Sequence, residues 1–183
     1  MPKLTIKTEP YLREFILGKY KENTSGYSFI MLILKPLVEY IPADKAPIIA
    51  HGEEYLELEL PQYEFGAFNV RFDTVYLSPE NAKEFNRLAI AWFRDIYYSY
   101  MDDKVRYANK FYPGYGRKAF IKNTIIQFCS DNNMNFNKDN YENLKKGYYR
   151  MRKKREKDEK KQKSLGGLVS LKCPPVVPLI FML

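Results

Sequence analysis

The chain has 183 residues, 45% of them hydrophobic and 16% aromatic, and carries a formal net charge of +8. That length suits one ordinary domain or two small ones, and that much apolar and aromatic material excludes a chain disordered throughout. A single histidine, His51, and two cysteines, Cys129 and Cys173, leave no C-x-x-C pair, no metal-ligand spacing and no recognisable Ser/His/Asp or Cys/His set; no metal, cofactor or catalytic role is expected.

Leu4 and Ile6 alternate with Lys3, Thr5 and Lys7, the pattern of a short strand with one apolar face. Thr8 offers a helix N-cap, and Pro10 falls near the first turn, where its missing N–H costs little. Tyr11, Leu12, Phe15, Ile16 and Tyr20 follow at helical spacing, until KENTSG breaks the helix. Tyr27, Ile30, Ile33, Leu34, Leu37, Val38 and Ile41 again fit a period of 3.6. A second helix is therefore expected there, kinked or starting late because of Pro36. This opening order has two readings. Strand 3–7 can join an in-chain sheet, or it can form the two-stranded ribbon of a ribbon-helix-helix homodimer that presents Lys3, Thr5 and Lys7 to a major groove.

Residues 42–52 read as loop, with Pro42, Pro47 and Gly52. Leu56, Leu58 and Leu60 alternate with Glu57 and Glu59, and Phe68, Val70 and Phe72 alternate with Asn69, Arg71 and Asp73, which predicts a β-hairpin. The acids of 53–59 share a strand face and read as solvated. Ser78-Pro79-Glu80 is a well-formed helix start. Phe85, Leu88, Ala89, Trp92, Phe93, Ile96, Tyr97 and Tyr100 then mark an amphipathic helix whose aromatic stripe reads as core.

YPGYGRKAF (112–120) sets two glycines and the cations Arg117 and Lys118 before a helix. Its backbone N–H groups could hold a phosphate, although the nucleotide-hydrolysis spacing is absent and an ordinary turn explains it as well. Phe120, Ile121, Thr124, Ile125, Phe128 and Cys129 predict a short amphipathic helix, with Cys129 as a buried thiol. A polar turn, DNNMNFN, follows, with Met134 and Phe136 as its buried-looking members. The last helix is expected from Asn137 or Asp139 to about Lys163, docked by Tyr141, Leu144, Tyr148 and Met151. The tail LGGLVSLKCPPVVPLIFML is apolar but holds three prolines and a lysine. Its uninterrupted apolar run is shorter than the roughly 20 residues a bilayer span needs, so no membrane partner is expected.

Charge divides the chain more sharply than hydropathy does. Residues 1–99 hold 11 basic and 14 acidic side chains, whereas residues 100–163 hold 18 basic and 8 acidic. A polyanion is the natural partner of the second part. Its last two helices resemble a helix-turn-helix arrangement with a turn longer than usual. Asn140 and Asn143 are candidate base readers; Lys145, Lys146, Arg150, Arg152, Lys153, Lys154 and Arg155 are candidate phosphate contacts, with Arg117 and Lys118 in support. The acids at 156, 158 and 159 are expected to dilute the field beyond residue 155.

KLTIKTEPYLREFILGKY and FCSDNNMNFNKDNYENLKKGYYRMRKKRE resemble a loose group of proteins carried on phages and mobile elements of gut Bacteroidetes. The second of these is also similar to the helix-turn-helix end of phage middle-operon activators. The resemblance implies a setting and no mechanism.

The sequence thus predicts an α+β protein, with helices packed on a small antiparallel sheet through about residue 110. A basic helix-turn-helix-like module over 111–163 and an apolar tail over 164–183 follow. The expected function is non-catalytic binding of duplex DNA, regulatory or accessory on a phage or mobile element. With no secretory pattern at the start, a cytoplasmic setting is the default. The competing expectation is a protein-interaction or structural module whose basic helix is only a solvated face.

Overall fold

The computed structural model describes residues 3–21, 25–42, 52, 54–60, 73–111 and 117–165. Its elements run β1 (Lys3–Lys7), α1 (Pro10–Lys21), α2 (Ser25–Leu34), β2 (Glu39–Pro42), β3 (Tyr55–Glu59), β4 (Asp73–Tyr76), α3 (Pro79–Phe111), α4 (Arg117–Asp131) and α5 (Lys138–Leu165). The class is α+β, with five helices and two small antiparallel sheets in place of the single sheet expected. The chain divides into two compact units, Met1–Lys145 and Lys146–Leu183. The expected junction at 110/111 falls inside the first unit.

In the first sheet β1 runs antiparallel to β3, pairing Leu4 with Leu58 and Ile6 with Leu56. Those four side chains are buried, as the alternation requires. On the other face Lys3 meets Glu59 at 3.6 Å and Lys7 meets Glu54 at 3.0 Å. This is the in-chain sheet of the two readings: β1 is joined to a strand of its own chain, and both cations named for a groove face carboxylates. The second arm of the expected hairpin lies outside the described residues.

Around residue 36 the structure departs from the helical pattern. α2 ends at Leu34, whose carbonyl accepts from the N–H groups of both Leu37 and Val38. Pro36 disfavours helical backbone at Lys35 and clashes with the turn before it. Ile41 therefore belongs to β2, which pairs with β4 in a second two-stranded sheet.

Thr8 is not the N-cap of α1. Glu9 holds that position, accepting from the Arg13 N–H at 2.9 Å, while the Thr8 N–H donates to the Glu54 carbonyl at 2.9 Å. Ser78 does begin α3, and Pro79 takes the first helical position, where no N–H is missed.

α3 organises the first unit. Phe85, Ala89, Phe93, Tyr97 and Met101 recur every fourth residue and are all buried. The Phe93 ring centroid lies 5.0 Å from Phe15, 5.3 Å from Tyr11, 5.8 Å from Tyr97 and 6.0 Å from Phe128, joining α1, α3 and α4. Each such ring contributes about 1.5–3 kcal/mol by leaving water. Phe128 also packs against Tyr97 and Tyr100, which is why α4 belongs with α3. Gly18 lets α1 approach the chain just after α4: an added Cβ would sit 2.6 Å from the Asn132 carbonyl oxygen.

Candidate nucleic-acid interface

The interface is built on α5, whose start is fixed with care. Asn137 caps it, its Oδ1 accepting the Asn140 N–H at 2.8 Å. Glu14 of α1 accepts from the Asn135 backbone N–H at 2.9 Å and from its side-chain amide at 3.0 Å. Tyr97 of α3 donates its buried hydroxyl to the Leu144 carbonyl at 3.0 Å. The first turns of α5 are thus held by α1 and α3, partners that the sequence did not identify. The connection from α4 to α5 spans 132–137, too long for the usual helix-turn-helix turn of about 3–4 residues. Within it Asn133 takes a left-handed φ of 54°, which asparagine tolerates. Met134 is buried as expected, but Phe136 is exposed, its ring 5.7 Å from that of Tyr141.

The candidate residues separate by surroundings. Asn140 is only 5% exposed; its amide donates to the Asn135 carbonyl at 3.0 Å and approaches Glu14 at 3.4 Å. It holds the turn together and offers no edge to a base, which corrects its assignment as a base reader. Asn143 is exposed. Lys145 is half-buried, paired with Glu142 at 3.2 Å and lying over the Tyr141 ring. Arg117 and Lys118 open α4, and their side chains lie outside the described part of the structure.

In the second unit, taken by itself, the cations sort by angle around the helix. Steps of three or four residues return to one side of an α-helix. Each of Lys146, Arg150, Lys153, Lys154, Lys157, Lys160 and Lys161 lies three or four residues from another member of the set, and all are exposed. No acid falls within this stripe. Glu156 and Asp158 lie at its two borders and Glu159 on the opposite side; Glu156 is drawn away to Arg152 at 3.2 Å. The buried Tyr148 and half-buried Met151 occupy the side away from the stripe, with Arg152 next to Tyr148 and Arg155 at an angle between the two. At 1.5 Å per residue the stripe extends about 22 Å.

Linear charge counting missed Lys157, Lys160 and Lys161, because the neighbouring acids mask them along the chain and not around the helix. Tyr149, 39% exposed and bordering Lys146 and Lys153, was missed as well. The signal that finds all four is the helical wheel, which the expected helix to about Lys163 already allowed and the observed one to Leu165 bears out.

Other chemistry is sparse. Among the described residues no three His, Cys, Asp or Glu side chains are grouped to hold a metal ion, and no helix is long and apolar enough to cross a membrane. Cys129 is buried, and that burial, with the Glu14 carboxylate adding to it, pushes its thiol up to about 11, away from nucleophilic use. A cleft of about 490 Å³ beside Thr8, Glu54 and Asn86 holds the Lys7–Glu54 pair and no nucleophile beside a base. No protein-family model matches the chain, and no curated protein or solved structure matches it.

Proposed function

We propose that the protein is a non-catalytic nucleic-acid-binding protein that grips duplex DNA along the exposed cationic stripe of α5. Its role is regulatory or accessory to a phage or mobile element, in the cytoplasm. The observation that carries the reading is the stripe: seven exposed cations on one helix side with no acid among them. A continuous helix about 10–12 Å across fits the major groove, which is about 12 Å wide. Lysines at this spacing meet phosphates, while Arg150 and Asn143 are the exposed side chains able to bond base edges. Lys145 and Arg152, already paired with carboxylates, contribute less.

Each phosphate neutralised releases counterions, so affinity for a duplex should fall by about 10³–10⁴ between 50 and 200 mM salt if most of the stripe engages. Lys157→Glu and Arg155→Glu make the same charge change two residues apart, one on the stripe and one off it. Lys157→Glu should lower the slope of log affinity against log salt by about 1 or more, and Arg155→Glu should leave it nearly unchanged. Equal effects of the two, or no binding at low salt, would make α5 a solvated face of an interaction module.

A further inference from the structure

Residues 104–130 contain six Lys or Arg and no Asp or Glu. At the start of this stretch lie the last turns of α3, and there Tyr107 is 57% and Phe111 53% exposed, the two most exposed aromatic side chains among the described residues. Their ring centroids are 4.6 Å apart with planes inclined by 41°, so the two rings form one continuous apolar surface facing water. Lys104 and Phe111 stand a turn to either side of Tyr107, and Lys110 rests its ammonium 5.2 Å from the Phe111 ring centre. Lys104 lies 5.4 Å from the Tyr100 ring centre. Arg106 is exposed beside them; Asp103 lies on the same side of the helix, and Asp131 accepts from the Tyr100 hydroxyl at 2.9 Å.

The neighbours of the rings decide what kind of partner fits. The buried centre of a protein–protein contact is depleted in charge, and lysine is among its rarest members. Here Lys110 lies against the Phe111 ring, and Lys104 stands one helical turn from Tyr107. Flat π-faces beside mobile ammonium groups match a ligand that is itself flat and anionic at a short repeat, a base with its phosphate. A duplex keeps its bases stacked on each other, so only unpaired bases can use the rings.

We propose that the last turns of α3 are a stacking platform for single-stranded nucleic acid, with Tyr107 and Phe111 taking bases and Lys104, Arg106 and Lys110 taking phosphates. The platform lies on a different helix from the duplex-binding stripe and does not depend on it. The two rings lean on each other, with 4.6 Å between centroids, and their outer faces offer places to one or two neighbouring bases. Stacking tolerates any base, so the surface selects strandedness and not sequence.

The test compares the full chain with Tyr107→Ala, Phe111→Ala, Tyr107→Trp and Lys157→Glu. Fluorescence anisotropy reads binding to a labelled oligothymidylate, an oligouridylate and a duplex of the same length. Each alanine variant should weaken single-strand binding by about 5- to 150-fold, with duplex binding unchanged. Tyr107→Trp, which keeps a π-face, should retain single-strand affinity, and Lys157→Glu should act mainly on the duplex. Both rings are exposed, so circular dichroism should show the variants folded. Unchanged single-strand affinity in the alanine variants, or equal losses on both ligands, would overturn the proposal. So would sedimentation showing that the same variants dissociate a dimer, since the rings would then serve a second copy of the chain.

Discussion

Between Phe85 and Met101, α3 turns a side chain into the interior at every fourth residue, whereas from Lys153 to Gln162 every side chain of α5 is exposed. Both helices repeat with the same period and differ in what they repeat. In α3 the repeated groups are rings and apolar chains, held at fixed distances by packing, so each one is tied to several others. In α5 they are ammonium and guanidinium groups exposed to water along the helix. Charge can therefore be varied along α5 with little effect on the fold, while α3 has little freedom of that kind at its buried positions.

The largest effect that would sharpen this contrast is expected from Phe93→Ala. Removing a ring that meets Tyr11, Phe15, Tyr97 and Phe128 should cost about 3–5 kcal/mol in urea denaturation, against less than about 0.5 kcal/mol for Lys153→Ala. Comparable losses in the two would break the comparison. Next comes Asn140→Ala, at the seam where α5 begins. It should destabilise by about 0.5–1.5 kcal/mol, because the buried amide's hydrogen bonds to the Asn135 carbonyl and Glu14 are lost. Its duplex affinity under conditions where it stays folded should match that of the unaltered chain; a selective loss on particular sequences would restore Asn140 as a base reader.

The smallest effect concerns pH. The Cys129 thiol titrates higher in the folded chain than unfolded, mainly because burial disfavours the thiolate. Its contribution is fully present below the unfolded value and disappears as pH rises toward about 11. Stability should therefore decline on the alkaline side of about pH 9, and Cys129→Ala should flatten that decline. An identical alkaline profile in the variant would assign the decline to other groups, Tyr100 among them, whose hydroxyl burial and Asp131 push up to about 12.

Much of this architecture was legible in the residues. The stripe from Phe85 to Tyr100, the Ser78-Pro79 start and the alternation in 3–7 and 56–60 are local patterns that burial then reinforced. β2 was hidden because Leu37, Val38 and Ile41 fit helical spacing, and only the steric demand of Pro36 separates them from α2. Asn140 looked available for a base because an asparagine has no burial signature of its own; its partners, Glu14 and the Asn135 carbonyl, are tertiary facts. The α5 stripe was half legible: the cations could be counted and the helix was expected to about Lys163, but counting along the chain ignores where Glu156 and Asp158 fall around the helix.

Glu14 is joined to Asn135 across 121 residues and to Asn140 across 126. A chain made from its N-terminus outward displays this carboxylate long before either asparagine exists. Loops of that length close late, so the seating of the basic helix belongs to the final steps of folding. In the nascent chain, then, α1 carries an unanswered acid, and the arrival of the turn before α5 is what neutralises its hydrogen-bonding demand.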